Sequence, residues 1–146
     1  MKIADKIQLM GMLFFSIVDA ATNKVISTHT THNIITDNGY HAAAQALAGV
    51  SGSAITTLAI GEDFTVPASG DTEITGVTVP ITSVEYPDNF SVRFNFQIDE
   101  YTANEMNLVE FGLVTQDGRL FSRLVRGEII AKTDAIKIIG GYIINI

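Results

Sequence analysis

A chain of 146 residues, 47% hydrophobic and 17% charged, is sized for one domain with a sizeable core. Its formal charge of −7 sets aside nucleic-acid binding, which needs basic patches to neutralise phosphates. The absence of cysteine excludes a disulfide framework, a thiolate nucleophile and a cysteine-based zinc site.

Met1 to Met10 reads as an N-terminal arm, with Ile3, Ile7 and Met10 at a helical spacing too short to hold alone. The apolar run from Leu9 to Val18 is interrupted by Gly11 and Ser16, and Asp5 sits where a secretory signal is basic. No stretch approaches the roughly 20 apolar residues of a membrane span, so a soluble, unprocessed chain with no membrane insertion is expected.

Gly11 to Val18 is a strand and Asp19 to Lys24 a turn, with Asn23 suited to a left-handed conformation. Val25 to His32 returns as a Thr-rich strand and closes a hairpin. Asn33 to Gly49 then holds the one convincing helix. Thr36 or Asp37 supplies the N-cap, and Gly49 the left-handed residue past the last turn. Tyr40, Ala43, Ala44 and Leu47 recur as one stripe, expected to face a sheet.

Ala54 to Ile60 is an apolar strand and Glu62 to Gly76 an acidic loop. Val77 to Tyr86 is a strand whose Pro80 confines it to an edge or bulge. Pro87 to Asn89 is a turn. Phe90, Val92, Phe94, Phe96 and Ile98 alternate strictly with polar residues, one core face and one wet face. Asn107 to Thr115 and Arg119 to Ile129 are joined through Asp117-Gly118, read as a type I′ pair. Asp134 to Ile146 is the last strand, with Ile136, Ile138, Tyr142, Ile144 and Ile146 on one face and Ile139 and Ile143 on the other.

The expected fold is mainly β (α+β): an antiparallel β-sandwich of about eight strands with one short helix packed against it. Residues 11–146 form a single β-rich domain behind the arm.

Residues that do chemistry are sparse. His29 and His32 point to opposite faces of a strand and cannot share a metal, and His41 sits on the helix. No serine occupies a Gly-x-Ser-x-Gly elbow, and Gly49 to Gly52 follows a helix where a phosphate loop precedes one. Glu62, Asp63, Asp71 and Glu73 lack the tight spacing of a calcium loop and read as a solvated loop. No catalytic, cofactor-binding or metal residue is assigned, and no enzyme is expected. One structural pair stands out. With Asp117-Gly118 as the loop, Gly112 falls opposite Arg123, and Glu110 sits diagonally from it as an exposed ion pair.

Taken in order, a set of motifs spans roughly Gly11 to Ile146. It runs from Asn33-Ile34-Ile35-Thr36-Asp37-Asn38-Gly39 before the Ala-rich helix to Leu58-Ala59-Ile60-Gly61 and Asp71-Thr72. It continues with Glu110-Phe111-Gly112-Leu113, Leu120-Phe121-Ser122-Arg123 and Lys132-Thr133 before the apolar last strand. This series resembles bacteriophage and prophage tail proteins. It departs from them after Asp71-Thr72, where Thr75-Gly76-Val77 lacks an acidic residue followed closely by arginine.

The resemblance implies a virion structural protein of tail, baseplate or fibre, made in the bacterial host cytoplasm and carried in the virion. It would act as a homo-oligomer contacting other phage tail proteins, with no catalytic residue to carry over. Low charge and poorly guarded strand edges point the same way. The alternative is a carbohydrate- or receptor-binding module whose partner is a host surface glycan. The chain has no Trp for such a site, leaving Tyr40, Tyr86, Tyr101 and Tyr142.

Overall fold

The computed structural model describes residues 8–146. Strands β1 (Met10–Asp19) and β2 (Val25–Ile35) form the expected hairpin, in register from Gly11 opposite Asn33 to Ile17 opposite Ser27, with a bulge before Val18 meets Val25. Its turn holds because Asp19 Oδ1 accepts the N–H groups of Ala21 and Thr22 while Asn23 adopts φ 59°. Helix α1 (Asp37–Leu47) follows, then β3 (Ile55–Gly61), β4 (Gly76–Pro80) and β5 (Ser83–Glu85). The chain closes with β6 (Ser91–Ile98), β7 (Asn107–Thr115), β8 (Ser122–Ala131) and β9 (Ile136–Asn145).

The nine strands join in one sheet of order β4-β3-β7-β8-β2-β1-β9-β6-β5, with every pairing antiparallel. It curls into a half-barrel. Strands β4 and β5 lie at opposite ends of that order, yet only Ile81 and Thr82 separate them. Ile81 N–H bonds to the Thr56 carbonyl on one side and Thr82 N–H to the Asn95 carbonyl on the other. The expected single strand from Val77 to Tyr86 is therefore two, broken after Pro80, and Pro80 lies on an edge strand as its missing N–H requires.

The mainly β expectation with one short helix is met, with nine strands rather than eight and a single curled sheet among the described residues. The core lies inside the curl. Phe15 of β1 stacks on Phe111 of β7 with ring centroids 5.8 Å apart, so the two walls of the curl touch through aromatic rings. Phe94, Phe96 and Ile98 are buried there as their alternation predicts. Phe90 is not. It is 69% exposed, because Asp88 Oδ1 holds its N–H and keeps it in the preceding turn.

The helix is capped by Thr36, whose hydroxyl accepts the Gly39 N–H at 2.9 Å and donates to the Leu120 carbonyl at 2.6 Å. The buried residues of the helix are Gly39 and Ala42, with Ala43 packed beside them, while Tyr40 and Leu47 of the expected stripe are exposed. A Cβ on Gly39 would run into the Phe121 carbonyl, so the helix approaches the sheet along its smallest side chains. Gly49 takes φ 72°, as expected past the last turn.

Met10 pairs with Asn145 within β1, and Leu9 packs on the core, so the domain begins before residue 11. The rest of the expected arm, residues 1–7, lies outside the described residues. The 115–119 turn also differs from expectation. Only Gly118 has positive φ, at 90°, and Thr115 pairs with Arg119 around a three-residue loop. A type I′ pair needs positive φ at Asp117 as well.

Candidate functional site

The register is nevertheless the expected one further along. Leu113 N–H bonds to the Ser122 side chain, an irregularity that takes up one residue. Beyond it Phe111 falls opposite Leu124 and Glu110 opposite Val125, which puts Glu110 and Arg123 on one face. Arg123 Nε donates to Glu110 Oε2 at 2.7 Å, and Nη1 to Asp71 Oδ2 at 3.0 Å.

The pair is buried rather than exposed, with 3% and 2% of the side chains accessible. The acidic loop folds over it: Asp71 reaches Arg123, and Asp63 N–H donates to Glu110 Oε1. Of the four loop carboxylates, Glu62, Asp63 and Asp71 are engaged, with Glu62 Oε1 accepting the Asn107 N–H at 2.6 Å, while Glu73 is exposed to solvent as expected. Burial pulls the Arg123 guanidinium down, but hydrogen bonds to Glu110 and Asp71 outweigh it and hold its pKa above the ordinary value. Every group in this network has a partner, and it pins the loop to the sheet.

A second polar cluster centres on two fully buried residues, Tyr142 and Ser122, with the half-buried Asn33 beside them. Tyr142 is 0% exposed, and its hydroxyl accepts from Ser122 Oγ at 3.1 Å and from Asn33 Nδ2. Burial pushes its phenol well above the ordinary range. This tyrosine offers nothing to a sugar.

On the outer face, a groove of about 420 Å³ brings Phe14, Thr28, Glu85, Arg93, Asn95 and Gln97 together. The Arg93 guanidinium covers the Phe14 ring at 4.3 Å and donates to Asn95 Oδ1. Asn95 in turn donates to Ser83 and Glu85. The Phe14 face, Arg93, Asn95 and Glu85 are thus engaged with one another.

The histidines separate as their positions predict. His29 stacks on Phe15 at 5.1 Å and bonds to Ser27 Oγ, while His32 and His41 are exposed. Among the described residues no group of three or more His, Asp or Glu is placed to hold a metal ion. No described helix is long and apolar enough to cross a membrane.

The feature left open is apolar. Between α1 and the ends of β6 and β9 runs a groove of about 530 Å³, lined by Ala43, Ala46, Leu47, Tyr86, Phe90 and Ile146. Leu47 is 92% exposed, Tyr86 77%, Phe90 69% and Ile146 70%, and no charged side chain lines the groove. A neighbouring hollow of about 390 Å³ extends it over Ile55, Val84 and Phe94. Soluble monomers rarely expose large contiguous apolar surface of this kind.

Sequence reasoning placed Leu47 and Phe90 in the core and so missed this patch. Two signals point to it: the small residues Gly39, Ala42 and Ala43, which suit close helix packing and turn Leu47 out, and the Asp88 turn, which reaches Phe90. No family profile, curated protein or solved structure matches the chain.

Proposed function

We propose that this chain is a non-enzymatic structural protein of a phage or prophage virion tail, acting through self-association and contacts with neighbouring virion proteins. The observation that carries the reading is the uncharged apolar groove beside α1, with Leu47, Tyr86, Phe90 and Ile146 held out to solvent. Apolar area of this kind is stabilising once covered, at roughly 25 cal/mol per Å². The ordered motif resemblance supplies the virion context.

In this reading the two walls of the curled sheet act as the layers of a sandwich. The Glu110–Arg123 network keeps the 62–75 loop fixed on one wall, leaving the α1 end for a neighbour. Ile139, 41% exposed on the outer face of β9, is further apolar surface that this chain leaves open.

Probing purified virions and the soluble fraction of a producing host with an antibody to this chain tests the assignment. Chain recovered in the particles is the expected result. Chain confined to the soluble fraction would overturn the virion reading.

A further inference from the structure

Strand β2 sits fifth of nine in the sheet order, where a strand ordinarily has a neighbour on each side. For most of its length it has one. Strand β1 matches it from Val25 to Asn33, whereas β8 matches only Ile34 and Ile35 before turning away. None of residues 25–32 is buried, although the strand lies mid-sheet.

Which backbone groups face the gap follows from alternation. Thr36 N–H bonds to the Phe121 carbonyl on the β8 side, so Ile34, His32, Thr30 and Thr28 turn their N–H and C=O groups the same way. From Val25 to Asn33 that side of β2 has no backbone partner among the described residues. Strand β8 reaches across this gap through the Arg126 side chain, whose Nη2 lies 3.3 Å from His29 Nδ1 and whose guanidinium sits 5.0 Å over the Phe15 ring, on the inner side of the curl. The β2 edge carries no charge, with no Asp, Glu, Lys or Arg between Lys24 and Asp37. Charged side chains are the usual protection of an open edge, and β2 supplies none of its own; the Arg126 contact to His29 covers the inner face and leaves the backbone groups of Thr28, Thr30 and His32 without a strand partner.

We infer that β2 of a second copy pairs antiparallel with this edge about a two-fold axis, joining two sheets into one. The inference rests on the self-association reading above and names one of its surfaces. A two-fold contact needs a patch that complements itself, and two identical strands reversed against each other present donor to acceptor along their length. Charge selects a second copy as well. A chain of net −7 repels itself, and this edge brings no carboxylate against another. Thr28, Thr30, Thr31 and Ser27 then meet across the axis as hydroxyl pairs, which are favourable across strands.

Proline substitution tests the edge directly. Thr30→Pro removes an N–H that faces the gap, which an unpaired edge tolerates. Thr31→Pro removes one that faces Leu13 of β1 and should lower the melting temperature. Thr30→Lys places a charge on the same edge without altering the backbone. In sedimentation equilibrium the parent should exceed the 15.7 kDa chain mass. Thr30→Pro and Thr30→Lys should each lose the two-fold step while melting like the parent.

An oligomer of unchanged mass in both variants would overturn the β2 contact and leave self-association standing. A monomeric parent would overturn both. If Thr30→Pro fails to fold, the alternation assignment is wrong, and Thr30→Lys alone decides the contact.

Discussion

Arg123 Nε donates to Glu110 Oε2 at 2.7 Å with only 3% and 2% of the two side chains accessible. A charge buried this deeply is tolerable only with its partner in place, and Asp71 at 3.0 Å adds a second. Glu110→Ala should therefore cost about 3–5 kcal/mol in urea unfolding, because it removes the one fully buried carboxylate and leaves the guanidinium to the more exposed Asp71 and Asp63. Replacing both residues with apolar ones of similar volume, Glu110→Leu with Arg123→Met, should cost less than either single change. A Glu110→Ala cost below about 1 kcal/mol, the range of exposed pairs, would show that the network is open to water.

The two ends of one alternating run behave differently. Phe94 is 8% exposed and Phe90 69%. Phe94→Ala should cost about 3–5 kcal/mol, the range for emptying a packed aromatic site. Phe90→Ala should stay within about 0.5 kcal/mol in the isolated chain. Chemical denaturation of the two variants side by side checks this, and equal losses would contradict the turn placement of Phe90.

Much of the fold could be read because it depends on local pattern. Strand alternation in Phe94, Phe96 and Ile98, the Asn23 turn and the Thr36 cap are each written within a few residues. What escaped depends on contacts distant in the chain. The helix face was missed because Gly39 meets Phe121, more than eighty residues away in sequence, and the small side chains win the inner position. The Glu110–Arg123 partnership was legible from the hairpin, but its burial was not, since the covering loop comes from residues 62–75. The register survived a wrong turn type only because the Ser122 irregularity offset the extra loop residue.

Five surface aspartates contribute to the acid response, each modestly because solvent screens it. Asp19 is lowered by the Thr22 N–H and hydroxyl, and Asp63 by Thr65. Asp88 is lowered by the Ser91 hydroxyl, Asp99 by the Thr102 hydroxyl, and Asp117 by the Arg119 guanidinium. Each folded pKa lies below the ordinary value of 3.8, so the ionised form is favoured by folding. That stabilisation is complete above the unfolded value and is lost as pH falls through the lower folded values. Melting temperature should hold on the neutral side and drop below about pH 4. Asp19→Asn should flatten part of that drop. A melting temperature that rises on acidification through this window would reverse the sign.

In the proposed role a neighbour covers the groove beside α1, and Leu47 reads that contact most directly. At 92% exposure Leu47 contributes little to the isolated fold, so Leu47→Asp should melt within about 0.5 kcal/mol of the parent. Sedimentation equilibrium at micromolar concentration should find the parent heavier than 15.7 kDa and Leu47→Asp lighter than the parent. A parent that sediments as a single 15.7 kDa species throughout that range would contradict the account.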